Sequence, residues 1–241
     1  MARLLVVISA LGLVAGCASK SEVDQLKAEV AALQATVKEL ASKPSAPAAP
    51  DAASENAARE LLKVAQTKAG SGDTDGAKKA LAELTAKYGS TRTAARAARL
   101  KDELEVVGKA SKPLADPEWI HGSEAGFDLD SEAGLVVFFE QWCPHCKREV
   151  PKLQATYEKY KGRMGVLGLT KMSRSSTLEN TKELLDSNNV TYPVAKEGGG
   201  ESQYYAVSGI PAAIFVNHGK VLWRGHPGTL NDEMIEKFIN N

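Results

Sequence analysis

Between residues 21 and 42 the apolar positions recur at alternating steps of three and four: Val23, Leu26, Val30, Leu33, Val37 and Leu40. This is the seam of a heptad repeat, with Val at every a position and Leu at every d position, a choice that favours a parallel pair of helices. Glu22 and Lys27 fall at g and at the following e, where they can pair across such a seam. A helix of this length is marginal alone, so association would be helped by co-anchoring in one membrane. The stretch 43–53 breaks the pattern with Pro44, Pro47 and Pro50 among Ala and Ser, which predicts an extended, semi-rigid spacer. Helical spacing returns over 54–110. Leu61, Leu62, Ala65 and Ala69 share a face; Gly70 to Gly76 interrupts it, with Asp75 as the expected cap of the next helix. Ala77, Leu81, Leu84 and Tyr88 continue the pattern, and a third helix is expected from about Thr91 to Val107.

The second half reads differently. Leu135 to Phe139 is a continuous apolar run of strand type, followed at once by Trp142-Cys143-Pro144-His145-Cys146. From Lys147 to Tyr160 the apolar positions Val150, Leu153, Tyr157 and Tyr160 have helical spacing. Composition sharpens the contrast. Of 14 aromatic residues, 13 lie after residue 111, whereas 26 of the 35 alanines lie in residues 1–100. Aromatic side chains carry much of the burial in a small core, so the globular core is expected in 112–241. Lys plus Arg and Asp plus Glu balance at 30 each, which leaves no basic field for nucleic acid.

The extreme N-terminus has the layout of a secretory leader: Arg3, an apolar run from Leu4 to Ala15, then small residues ending at Gly16-Cys17. The run is too short for a spanning helix of about 20 residues. Val14-Ala15-Gly16-Cys17 resembles the lipobox of bacterial lipoproteins. The resemblance implies removal of residues 1–16, a lipid on Cys17, and an anchored segment 17–42. Asp does not follow the cysteine, which by the same resemblance favours the outer membrane with the protein facing the periplasm.

Cys143 and Cys146 remain. Haem attachment requires His after the second cysteine, and residue 147 is Lys. Structural zinc requires two further ligands at suitable spacing, and His218 with His226 make a poor second half. A structural disulfide closing so small a loop restricts the unfolded chain little. A cysteine pair between a strand and a helix, in an exported chain, is therefore read as redox-active. Calcium binding at Asp73-Thr74-Asp75-Gly76 is rejected, because the first and twelfth loop positions are Ser71 and Ala82.

Phe138 to Pro151 resembles the active-site block of the TlpA/ResA-like thiol–disulfide oxidoreductases of the thioredoxin superfamily, and the resemblance covers about 115–241. Gly209-Ile210-Pro211 is similar to the family's cis-proline loop, and 212–217 with 220–224 to its terminal hairpin. The resemblance implies an α/β thioredoxin fold, a mixed sheet flanked by helices in 112–241, behind an all-α stalk. It implies Cys143 as the exposed attacking thiolate, Cys146 as the shielded resolving thiol and Glu149 as a carboxylate that tunes or relays protons. Trp142, Pro144, His145, Ile210 and Pro211 would form the substrate-facing surface, with the backbone of Ile210 pairing with the substrate. No cofactor or metal is implied; the partners would be thiols and disulfides of exported proteins and an upstream redox partner. Pro-His between the cysteines departs from this family and matches disulfide oxidants, so oxidation or isomerisation stands beside reduction. Glu140 replaces a residue that is usually small, and reads as either a bias on substrate choice or a solvated side chain. The helices of 54–110 resemble one tetratricopeptide repeat, which leaves a third reading: a scaffold whose redox domain only docks peptides.

Overall fold

The computed structural model describes residues 20–42, 51–114, 117–123, 132–198 and 200–241. The leader, Cys17 and residues 43–50 of the spacer lie outside these. Residues 20–42 form one helix, α1 (Lys20–Ser42). Val23, Leu26, Val30, Leu33 and Val37 are all exposed on it, at 38–64% of their full area. No described helix is long and apolar enough to cross a membrane.

The remainder begins with three helices, α2 (Ala52–Gly70), α3 (Thr74–Tyr88) and α4 (Arg92–Leu104). Each start is capped by a side chain: Asp51 accepts from the Ser54 amide, Asp73 from the Gly76 amide and Thr91 from the Ala94 amide. Asp73 thus takes the capping role expected of Asp75, because Asp75 already lies inside the first turn. The three helices enclose Ala58, Ala65, Ala77, Leu81, Leu84 and Ala97, while Val64 faces outward. Glu55 of α2 ties down the start of α4, accepting from the Arg92 and Thr93 amides at 3.1 Å and from the Thr93 hydroxyl at 2.5 Å.

A six-stranded sheet follows: β1 (Glu118–His121), β2 (Gly134–Phe138), β3 (Gly165–Thr170), β4 (Val194–Lys196), β5 (Ala212–Asn217) and β6 (Lys220–Gly225), in the order β1-β4-β3-β2-β5-β6. β2, β3 and β4 are parallel; β1, β5 and β6 run antiparallel to their neighbours. The linking helices are α5 (Pro144–Tyr160), α6 (Leu178–Ser187), α7 (Gly200–Tyr204) and α8 (Asp232–Ile239). All five residues of β2 are buried, as expected of a central strand covered on both faces. Alternation sends Leu135, Val137 and Phe139 to one face with Cys146, Val150, Phe215 and Phe238. Val136 and Phe138 go to the other face with Leu167, Ile214 and Tyr205. This sheet, with the cysteine pair at the end of β2, is the thioredoxin fold expected from the sequence.

The helical part is packed onto the sheet part. The Trp223 indole N–H, buried in β6, donates to the Ala69 carbonyl at the end of α2 (3.2 Å). The Arg224 guanidinium lies 3.5 Å from Glu103 of α4 and donates to the Tyr205 and Ala206 carbonyls. Residues 108–111 then run along the outer edge of β6, exchanging hydrogen bonds between Gly108 and Val221, Val221 and Lys109, and Ser111 and Gly219. An otherwise open sheet edge is thereby covered.

Candidate active site

The polypeptide leaves β2 and turns through Phe139 to Trp142 into α5. Cys143 is the N-cap residue of α5, with extended backbone (φ −84°, ψ 116°) and no side-chain capping bond. Pro144 takes the first helical position, where its missing N–H costs nothing and its φ suits the helix. Cys146 follows one turn on, fully buried against the sheet, and the two sulfurs are not bonded to each other. Cys146 has no exposed area, which makes Cys143 the outer sulfur and Cys146 the inner one. Cys143 is nevertheless only 5% exposed, which corrects the expectation of an open thiol. Its sulfur is covered by the loop that carries a cis peptide between Ile210 and Pro211, and it points to the Ile210 carbonyl at 4.0 Å.

Burial pushes the Cys146 thiol up to about 12, and a hydrogen bond to the Cys143 side chain adds to this, against a backbone hydrogen bond from Glu140 that acts the other way. Cys146 therefore rests as the protonated thiol. Exchange chemistry needs this asymmetry: one sulfur that meets the incoming disulfide and a second held back until a mixed disulfide forms.

The expected site residues gather around this pair. Trp142 is half-buried beside Cys143, Ile210 is half-buried and Pro211 buried. Pro144 and His145 are exposed on the first turn, with the His145 Nδ1 turned to the Arg148 guanidinium at 2.7 Å. Glu149, one turn beyond Cys146, is buried and pairs with the Lys152 ammonium at 2.9 Å. The turn at Gly228 closes over it: a Cβ built there would come within 3.3 Å of the Glu149 Oε1. Trp119 is half-buried against the sheet, and Trp223 is the contact to α2 already described; neither stands at the cysteines.

Glu140 is the residue whose place the sequence left open. It is 4% exposed, not solvated. Its carboxylate is enclosed by donors: the Thr170 hydroxyl (3.3 Å), the Ser173 amide (3.2 and 3.3 Å), the Ser173 hydroxyl (3.1 Å) and the Ser176 hydroxyl (3.2 Å). These groups belong to the last residue of β3 and the turn after it, where Met172 and Arg174 both adopt left-handed φ (53° and 56°). That conformation costs about 1–2 kcal/mol per residue for an L side chain, and the Glu140 carboxylate is the partner that offsets it. Ser173 also accepts from the Trp142 indole N–H at 3.4 Å, and the Arg174 guanidinium lies over the Trp142 ring at 4.0 Å. The signal for this network was one charged residue directly after five apolar ones; its partners lie 30 or more positions on and carry no motif.

A parallel-centred mixed sheet, a C-x-x-C pair at the start of the helix after the central strand, and a cis-proline loop against the outer sulfur define a thioredoxin-type redox site. Residues 123–224 match the family model described as the AhpC/TSA family. The chain is similar to the thiol-disulfide oxidoreductase ResA of Oceanobacillus iheyensis, 26% identical over 115 residues, covering 47% of this chain and 59% of that protein. It is also similar to the thioredoxin-like protein YneN of Bacillus subtilis, 21% identical over 113 residues, with 47% and 66% covered. Among solved structures, a thiol-disulfide isomerase from Corynebacterium glutamicum aligns with a TM-score of 0.46 at 19% identity, over 55% of this chain and 94% of that one. These curated relatives are named as a thiol-disulfide oxidoreductase and a thioredoxin-like protein. The chain spans 59% and 66% of the length of those two curated relatives. Among the described residues, no cluster of His, Cys, Asp and Glu is arranged to hold a metal.

Proposed function

We propose that this protein is an envelope thiol–disulfide oxidoreductase that reduces disulfides in exported proteins. The observation that carries the reading is the unequal cysteine pair at the start of α5, with Cys143 against the Ile210–Pro211 peptide and Cys146 sealed beneath it. The Cys143 thiolate attacks a substrate disulfide and releases one substrate thiolate. The Cys146 thiol then loses its proton, attacks Cys143 of the mixed disulfide and releases the second substrate thiol. Two electrons pass to the substrate and a Cys143–Cys146 disulfide remains. By the family resemblance Glu149, buried one turn beyond Cys146, would take up that proton. An upstream donor returns the pair to the dithiol. The Ile210 backbone would pair with the substrate chain in β fashion.

The leader-like N-terminus and Cys17 support lipid anchoring in the bacterial envelope, on the outer membrane facing the periplasm. The exposed Val/Leu seam of α1 supports pairing with a second copy. A second reading, oxidation or isomerisation, is favoured by Pro144-His145 and by the pair of sites such a dimer would present. A glutathione redox titration of the chain separates the two. A midpoint near about −270 mV supports the reductase, and one near about −120 mV overturns it in favour of the oxidant.

A further inference from the structure

The groups that face outward around Cys143 are cationic. Lys147 and Arg148 are exposed on the first two turns of α5, and Arg174 is exposed on the neighbouring turn. Of the carboxylates on these elements, Glu140 and Glu149 are buried and taken up by their own donors, and Glu158 lies in the last turn of α5 and accepts from Gln154 and Thr191. Across the site, Glu103 accepts from Ser208 and pairs with Arg224. Arg174 has no carboxylate partner among the described residues. Its guanidinium carbon lies 4.0 Å from the centre of the Trp142 ring, and a guanidinium stacked there keeps its edge N–H groups free for a ligand. Such an edge suits one ligand chemistry well, a carboxylate taken in bidentate fashion.

The position matters as much as the charge. Trp142 precedes Cys143, and Ser173, which accepts from its indole, precedes Arg174. A chain whose cysteine meets Cys143 carries its neighbouring side chains past this shelf. The shelf is held from below by Glu140, whose carboxylate takes the Ser173 amide and the Ser173 and Ser176 hydroxyls.

We propose that Arg174, held on Trp142, is a specificity determinant that selects partner cysteines flanked by an acidic residue, and that Glu140 is the positioning residue that fixes it there. The proposal rests on the exchange reading above and names its substrate class.

The test uses the full chain, fully reduced, in a single turnover. The probes are two disulfide-linked peptide dimers that differ only in Asp or Asn directly beside the cysteine, with released peptide thiol as the readout. The Asp peptide should react about fivefold faster at low salt, the advantage one exposed ion pair supplies. The ratio should fall toward one as salt rises. Arg174→Gln should bring the ratio to about one. Arg174→Lys, which keeps the charge but not the planar stack, should retain only part of it. Glu140→Gln should lower the ratio as well, whereas a merely structural role would slow both peptides alike and leave the ratio unmoved. A ratio near one in the parent protein, or an undiminished ratio in Arg174→Gln, overturns the proposal while exchange itself stands. Failure of both peptides to react overturns the exchange reading and this inference together.

Discussion

Two cores lie side by side in residues 51–241, and they are made of different material. The sheet core is filled by Trp223, Tyr192, Tyr205, Phe138 and Phe215. The helical core is filled by Ala58, Ala65, Ala77, Ala80 and Ala97 around Leu81, Leu84 and Leu104. Small residues let α2, α3 and α4 approach closely, but each buried methyl removes little apolar area from water. A single helical-repeat unit of this kind is usually too small to stand alone. Here polar anchors supply the difference: three capped helix starts, the Glu55 contacts to α4, the Trp223 indole on Ala69, and Arg224 beside Glu103. The sheet region carries the chemistry on a large apolar core. The helical region is attached to it through directional bonds.

The strongest way to sharpen this contrast is to remove the chemistry and leave the packing. Cys143→Ser should abolish disulfide exchange to the detection limit, because no other described cysteine can make the first attack. Cys146→Ser should keep the first attack and accumulate a mixed disulfide with substrate, visible as a covalent adduct on a non-reducing gel. Both substitutions are small, and the thermal unfolding of the helical region should not move. Residual exchange in Cys143→Ser would remove the order of roles assigned here.

The next effect is on stability. Leu84, fully buried in the helical core, and Leu135, 1% exposed in β2, should each cost about 2–5 kcal/mol as Ala variants. If the two cores unfold together, both variants shift one calorimetric transition. Trp223→Phe keeps an aromatic ring in β6 but removes the indole bond to the Ala69 carbonyl, which retains the Gly72 amide, at a cost of about 0.5–1.5 kcal/mol. It should also expose the 51–104 region to limited proteolysis before the sheet is cut. Two resolved transitions in the parent protein would mean that the helical core stands independently, and the contrast would have to be redrawn.

Much of this was legible along the chain. The apolar run of Leu135 to Phe139, the C-x-x-C at the turn into α5, Ile210-Pro211 and the hairpin around His218-Gly219 are each local signals, and each appears in the described fold. What stayed illegible was non-local. Nothing near Trp223 indicates that its N–H ends on Ala69, 154 positions earlier. The Glu140 clamp depends on Thr170, Ser173 and Ser176, whose hydroxyls carry no periodicity. The covering of Cys143 depends on how closely the Ile210–Pro211 loop approaches, which a motif does not encode. Asp73 displaced Asp75 as a cap because a cap is decided by backbone direction, and the two positions look alike in sequence.

The smallest effects come from pH, and they divide along the same line. In the helical region, hydrogen bonds from Ser54 hold Asp51 below its ordinary value, the Thr93 hydroxyl does so for Glu55, and Lys68 with the Gly76 amide does so for Asp73. A depressed carboxylate contributes stability above its unfolded value, near 4.5 for Glu and 3.8 for Asp, and that contribution is lost as pH falls through the folded value. At Cys146 the sign is opposite. Its folded value is raised from 9.0 to about 12, so its contribution is complete below pH 9 and is lost as pH rises beyond it. Asp232 and Glu236 of α8 are also depressed, by Lys159 and Arg163 respectively, so acid acts on both regions and only a difference measurement isolates the helices. Glu55→Gln keeps the shape of the contact to Arg92 and Thr93 but cannot ionise. Its denaturation midpoint should lie below the parent's at pH 7, and the gap should close as the pH drops below about 4.5. Cys146→Ser should do the mirror image, gaining on the reduced parent only as pH climbs above 9. Parallel pH curves for Glu55→Gln and parent would show that the Glu55 carboxylate does not hold α4 in place.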